Sequence, residues 1–270
     1  MRQVHKAARM RTHLKDRVSE VRSKSIFLLP NAFTMGSLIC AFYGIVIAIE
    51  GEFAIAALSI FLSMILDGMD GRVARLTHTQ SSFGEQFDSI ADMTAFGVAP
   101  SVIAYEFALT DLGGFGFAAA FIFCAGAGIR LARFNTNIGV IDKGFFQGLA
   151  SPAGAALVMG YVWLAESNRL PEWVEVYNAY ITAGLCIYAG VTMISNAPFF
   201  SGKNMGFVRT LPFWFVLVLA LAFICFSSNP SLSTFVVFCI YAVSGYFYEI
   251  YLFVTGKPNP VRPPRSGDII

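Results

Sequence analysis

Charge is what this sequence has least of. Asp, Glu, Lys and Arg make up 13% of its 270 residues, about half the share found in ordinary soluble domains. So little polar surface excludes a compact water-soluble α/β enzyme and a nucleic-acid-binding module. Cysteine is sparse as well. Cys40, Cys124, Cys186, Cys225 and Cys239 all fall inside hydrophobic runs, with no CxxC or Cys/His spacing. They read as small apolar residues of helix packing, and a secreted disulfide scaffold is excluded. Also missing are the ten-residue alternating segments of a transmembrane barrel, internal repeats, low-complexity tracts and a signal peptide, since the first hydrophobic run is too long and too far from the terminus.

What is present is apolar length. The chain is 56% hydrophobic and 15% aromatic, with a mean hydropathy of +0.63. A helix needs about 20 apolar residues to cross a bilayer. Eight stretches meet or approach that, at 28–49, 53–71, 90–109, 115–134, 148–165, 174–194, 208–226 and 233–254. The expected fold is therefore an all-α integral membrane protein, a single bundle of about eight transmembrane helices covering 26–255. A basic segment (1–25) precedes it and a tail (256–270) follows. In the basic segment Val4, Ala7, Leu14, Val18 and Val21 recur at helical spacing, which predicts an amphipathic helix on the membrane surface.

The basic residues are distributed on one side. With a cytoplasmic N-terminus, all but Arg169 of the 19 Lys and Arg residues fall in cytoplasmic segments. The opposite loops carry Glu50, Glu52, Asp111, Glu166, Glu172 and Glu175. This positive-inside bias places both termini on the cytoplasmic face of the cell membrane.

Ionisable residues within a membrane are functional candidates by default, and the sharpest break in apolar character is "DGMDGRVARLTHTQSSFGEQFDSIAD" (67–92). Asp67 and Asp70 end the second span at i, i+3; Asp88 and Asp92 open the third at i, i+4. Either spacing puts two carboxylates on one helix face. A short connection makes the two helices antiparallel neighbours, so all four converge at the inner mouth. Carboxylates so close repel one another unless cations intervene. An all-oxygen set favours hard ions, and two divalent ions (Mg²⁺ or Mn²⁺, with Ca²⁺ also compatible) balance four charges. Paired ions suit a phosphoryl-type displacement. Between the pairs, Gly71 and Ala74 leave room for a ligand, Arg75 offers a fork for phosphate oxygens, and Gly84 admits close approach on the other helix. Glu85 and His78 receive no role.

The pattern Asp67-x-x-Asp70-Gly71-x-x-Ala74-Arg75, then eight residues, then Gly84-x-x-x-Asp88-x-x-x-Asp92 resembles the signature of the CDP-alcohol phosphotransferase family. Eight specified positions at fixed spacing arise by chance on the order of 10⁻⁸ per chain. The resemblance implies a helical membrane enzyme in which a hydroxyl attacks the lipid-side phosphorus of a CDP-linked lipid and CMP leaves. It implies that Asp67, Asp70, Asp88 and Asp92 hold the metals, with Asp92 also the catalytic base. Gly71, Ala74, Arg75 and Gly84 would contact the CDP portion, as would Asn31 and Thr34 in "LLPNAFT". A homodimer is also implied.

The signature leaves the acceptor alcohol open among serine, glycerol phosphate, inositol or its phosphate, and choline. "IRLARFN" supplies Arg130, Arg133 and Asn135 at the inner end of the fourth span, with the two arginines on one face. They suit an anionic acceptor or a lipid phosphate, or they anchor the helix by snorkelling. Guanidinium binds carboxylate and phosphate alike, so this physics does not separate serine from glycerol phosphate. "LLPNAFTMGSLICAFYGI", "DSIADMTAFGVAPSVIAYE", "IRLARFN" and "FFQGLASPAGAA" resemble the membrane-bound bacterial and archaeal phosphatidylserine synthases. That likeness implies CDP-diacylglycerol, or its ether counterpart, and L-serine as substrates. The likeness departs at Gly148-Leu149-Ala150, where that subfamily more often has Gly-Leu-Pro. A rival reading is a cation transporter with an aspartate gate. Transport sites usually sit at the midplane on broken helices, whereas these aspartates map to one mouth.

Overall fold

A computed structural model describes residues 31–77, 81–136, 144–167, 170–201 and 226–261. Among them, five helices are long and apolar enough to cross a membrane: α1 (Asn31–Ile49), α2 (Phe53–Thr77), α3 (Ser82–Leu112), α4 (Gly114–Thr136) and α8 (Pro230–Thr255). Between α4 and α8 in the chain come α5 (Ser151–Glu166), the short α6 (Glu172–Val176) and α7 (Asn178–Ile194). The protein is a multi-pass helical membrane protein.

Small residues set how closely these helices approach, as expected where lipid removes the hydrophobic drive between them. The chain turns from α1 into α2 at Gly51, whose φ of 86° favours glycine. Gly44 on α1 lies so near α2 that an added Cβ would meet the Ser59 Oγ. This approach lets the Ser37 and Ser63 hydroxyls bond each other at 2.8 Å, while Ser63 Oγ also donates to the Ser37 carbonyl at 2.9 Å. Between α4 and α7 the crossing is tighter still. A Cβ at Gly126 would strike the Gly190 carbonyl, and one at Gly190 would lie 2.5 Å from the Ile122 carbonyl.

Helix α5 fills the centre. Every residue from Ala153 to Val162 is buried, as a helix that is apolar all round should be. Helix α8 is peripheral, with Ile240, Phe247, Phe253 and Val254 exposed; in a bilayer such side chains meet lipid. Helix α3 is not uniform. A π turn at Thr94–Val98 begins two residues after Asp92 and precedes Pro100, and a second spans Tyr105–Leu109. Proline removes one donor from the helical ladder, and the wider π turn accommodates that local change in register.

Several expected boundaries shift. The second span continues to Thr77 and the third begins at Ser82, so both aspartate pairs lie inside continuous helices rather than at their ends. The fifth begins at Ser151, and the expected 174–194 run divides at Tyr177 into α6 and α7. All of the expected 208–226 span except Phe226, and the amphipathic segment 1–25, lie outside the described residues. The structure also contains strands that periodicity did not reveal. β1 (Phe145–Gln147) pairs antiparallel with β2 (Pro198–Phe200), Phe145 opposite Phe200 and Gln147 opposite Pro198. Three-residue strands are too short for an alternating pattern; they form because backbone groups at two helix junctions satisfy each other.

Candidate active site

Helices α2 and α3 run antiparallel, and their aspartates meet in two cross-helix rungs. Asp67 sits against Asp92 and Asp70 against Asp88, the carboxyl groups of each pair lying side by side. Ligand oxygens of Asp67, Asp70 and Asp88 all lie within 4.8 Å of one another. Asp92 Oδ1 is buried and has no hydrogen-bond partner among the described residues. Three converging carboxylates and a fourth with one oxygen unpartnered among the described residues, all hard oxygen donors, fit divalent cations.

The neighbours hold these carboxylates in place. Thr34 Oγ1, from α1, donates to Asp70 Oδ2 at 2.8 Å, and the Gly71 amide donates to Asp70 Oδ1. The α3 start is fixed by Ser81, whose backbone is extended (φ −142°, ψ 150°) and whose Oγ accepts from the Gly84 amide at 3.0 Å. That is an N-cap satisfying a helix donor that otherwise has no partner.

Beside the carboxylates opens a pocket enclosing about 620 Å³, part of it open to solvent. Six residues that the sequence assigned to the CDP portion (Asn31, Thr34, Gly71, Ala74, Arg75 and Gly84) all line it, together with Asp70 and Asp88. Gly84 is needed small: a Cβ there would lie 3.1 Å from Ser81 Oγ and 3.4 Å from Asn31 Oδ1. Arg75 Nη1 reaches over Gly71, 3.6 Å from where its Cβ would stand. Ser81 and Glu85 line the same pocket, and neither was given a role from the sequence. The signal for Ser81 was there, a serine three residues before the glycine of the signature.

The "IRLARFN" residues diverge. Arg130 is buried, donates from Nη1 to Ser151 Oγ at 3.1 Å, and lies 5.9 Å from the Phe134 and Phe146 ring centroids. It interacts electrostatically with Asp92. Arg133 turns instead toward the α7 end and the strand pair. Its Nη1 donates to the Ile194 carbonyl at 2.8 Å and to Asn196 Oδ1 at 3.3 Å. Its Nη2 donates to the carbonyls of Gln147, Met193 and Ser195 at 2.9–3.1 Å. Asn135 Nδ2 bonds Ser89 Oγ at 3.1 Å, tying α4 to α3 beside Asp88. Ser151, the partner of Arg130, was not singled out from the sequence, because nothing in its spacing connects it to α4.

An acid-lined pocket at the joined ends of two membrane helices, with a guanidinium over a glycine, is the arrangement of a membrane transferase working at a phosphate ester. Residues 27–191 match the family model for CDP-alcohol phosphatidyltransferase, and the chain belongs to that family. It is 36% identical over 229 residues to a protein of Helicobacter pylori strain J99 named CDP-diacylglycerol–serine O-phosphatidyltransferase, covering 85% of this chain and 94% of that one. Proteins of the same name from Mycobacterium leprae and Methanocaldococcus jannaschii are 33% and 37% identical over 214 and 150 residues. The first alignment covers 74% of this chain and 67% of the relative, the second 55% and 65%.

Proposed function

We propose that the protein transfers the phosphatidyl group of CDP-diacylglycerol, or of an ether-lipid counterpart, to the hydroxyl of L-serine, releasing CMP. The observation that carries this reading is the convergence of Asp67, Asp70 and Asp88 within 4.8 Å, against a pocket lined by the signature's non-acidic residues. The serine acceptor follows the relatives' name.

In this reading Asp67, Asp70, Asp88 and Asp92 hold two divalent ions (Mg²⁺ or Mn²⁺). When bound, such ions neutralise pyrophosphate charge and improve CMP as a leaving group. Arg75 supplies a fork to phosphate oxygens. Gly71, Ala74 and Gly84 let the nucleotide approach the backbone, and Asn31 and Thr34 provide polar contacts. Asp92, whose Oδ1 has no other partner among the described residues, accepts the serine hydroxyl proton as the oxygen attacks the lipid-side phosphorus; the P–O bond to CMP breaks as the new one forms. Catalysis is then mainly positioning and charge compensation.

The same reading places the protein in the cell membrane as about eight helices, with the basic N-terminal segment on the inner leaflet. Both termini and the site face the cytoplasm, and the unit is a homodimer. Cross-linking in a native bilayer tests the dimer. The reaction is tested with purified protein, CDP-diacylglycerol, Mg²⁺ or Mn²⁺, and each acceptor in turn, measuring CMP. Serine-dependent release is expected. Release with glycerol 3-phosphate, inositol or choline but not serine overturns the acceptor. Metal flux in proteoliposomes without CMP release overturns the reaction.

A further inference from the structure

The four aspartates stand on two helices that are held by different neighbours. Asp67 and Asp70 belong to α2, which is locked onto α1 by the Ser37–Ser63 pair and the close approach at Gly44. Asp88 and Asp92 belong to the first part of α3, Ser82–Met93, in which Ala91 is the one buried residue. Phe83 and Ile90 of this part are exposed, whereas five of the six residues of Ala99–Ala104, beyond the first π turn, are buried. The α3 carboxylates therefore lack the packing that fixes the rest of their helix. Metal ligands need that fixing, because Mg²⁺ demands near-ideal octahedral geometry.

Two contacts with α4 supply it, and each falls on the residue that follows an aspartate. Ser89 follows Asp88, and its Oγ accepts from Asn135 Nδ2 at 3.1 Å. Met93 follows Asp92, and its thioether lies over two glycines. A Cβ on Gly128 of α4 would stand 3.4 Å from Met93 Cε, and one on Gly97 of α3 would stand 3.0 Å from it. Ser89 and Met93 are about one turn apart on α3, and Gly128 and Asn135 about two turns apart on α4, so each pair shares a helix face.

We propose that Gly128 and Asn135 are positioning residues for the metal site: they clamp Met93 and Ser89, and so set where Asp92 and Asp88 stand relative to Asp67 and Asp70. This inference rests on the reading of the four aspartates as ligands of divalent ions.

The clamp works through rotation. Consecutive residues are about 100° apart round a helix, so each contact sits a quarter-turn or so from the carboxylate it serves. Held there at two levels, α3 resists turning about its own axis, the motion that would swing both carboxylates away from α2 together. Paired ions require the two carboxylate pairs at one spacing, since the ions themselves stand about 3.5–4 Å apart. Gly126, which meets α7, lies two residues from Gly128 and so about 200° round α4. The clamp and the α7 crossing therefore use opposite faces of one helix.

The test is Mn²⁺ binding to the purified full-length protein, stripped of divalent ions and then titrated, with free Mn²⁺ read by its electron paramagnetic resonance signal. Ser89→Ala and Asn135→Ala are each expected to raise the Mn²⁺ concentration at half-saturation about three- to fivefold. The double variant should go no further than either alone, because both remove the same bond. Gly128→Val should raise it about tenfold, the lower end for a residue that supports a metal ligand. Gly128→Ala, whose Cβ meets Met93 at an ordinary contact distance, should stay within about twofold of wild type. Adding Met93→Ala to Gly128→Val should restore binding, since the exchange returns the space that valine takes. At saturating Mn²⁺ the serine KM should be that of wild type in every variant. A purely structural role would lower the folded fraction and leave half-saturation of the folded protein unchanged, which overturns the proposal. A raised serine KM at saturating Mn²⁺ in Asn135→Ala overturns it too. If Gly128→Val does not fold, the Ser89–Asn135 cycle decides alone. Wild-type protein that takes up no Mn²⁺ defeats the metal-ligand reading and this inference together. Wild-type protein that binds Mn²⁺, with unaltered variants, defeats this inference only.

Discussion

The carboxylate cluster is built from α2 and α3, consecutive helices joined by a short connection, and Thr34 of α1 braces it. The arginine cluster is assembled from α4, β1, the start of α5 and the end of α7 with the residues just after it, with hydrogen bonds spanning up to 63 residues of chain. The first is local in sequence and opens on a pocket. The second is held by non-local backbone carbonyls, so its geometry depends on how the whole bundle packs. The two should therefore fail differently: the first by loss of charge chemistry, the second by loss of packing.

The largest effect should come from the first cluster. Asp70→Asn or Asp88→Asn is expected to reduce CMP release about 10²- to 10³-fold while circular dichroism shows an unchanged helix content. Removal of divalent ions with a chelator should likewise abolish release, and Mg²⁺ or Mn²⁺ should restore it. Substantial activity in either variant, or after chelation, would break the assignment of this half to metal-assisted chemistry.

This half was also the more legible in the sequence. The i, i+3 and i, i+4 spacings fix a face on each helix, and the short connection fixes the partner, so the rungs Asp67–Asp92 and Asp70–Asp88 require almost no tertiary information. For Arg130 and Arg133 the same i, i+3 rule gave a shared face but not what that face meets. The small-residue crossing with α7 and the seating of residues 147–149 decide that, and neither has a local signature. Glu85 is intermediate. It stands one turn before Asp88, on the signature's own helix, but only the pocket brings it next to Asn31 and Ser81.

Packing should matter more for the second cluster. Gly190→Leu forces a side chain against the Ile122 backbone at the α4–α7 crossing, and overpacking of this kind typically destabilises by about 1–3 kcal/mol. Thermal unfolding in detergent should show that loss. The surviving folded enzyme should have a raised serine KM and a near-normal KM for CDP-diacylglycerol, because the Gly126–Gly190 contact lies on α4 and α7 whereas the carboxylates stand on α2 and α3. An equal rise in both would erase the distinction between the halves. Thr34→Val probes the other side on a smaller scale. It removes the 2.8 Å bond to Asp70, and a bond to a charged group contributes about 1.5–3 kcal/mol, partly recovered here if the carboxylate binds cation. About a tenfold rise in the KM for CDP-diacylglycerol is expected, with the serine KM unchanged.

The smallest effect sharpens the comparison at the entry to α5. Ala150 occupies the position at which the resemblance to phosphatidylserine synthases implies proline. Its backbone already has φ −63° and ψ 135°, within the range that a proline ring imposes. Its amide has no hydrogen-bond partner among the described residues, unlike those of Gly148 and Leu149 just before it. Ala150→Pro therefore removes no bond and restricts only the unfolded chain. Such a change stabilises by about 0.4–1 kcal/mol. Because the junction seats Ser151 beneath Arg130, the variant should unfold at a slightly higher temperature and bind serine at least as well as wild type. A lower unfolding temperature would mean that the α5 entry needs a freedom its backbone angles do not show. The second cluster would then be held less rigidly than its hydrogen bonds indicate.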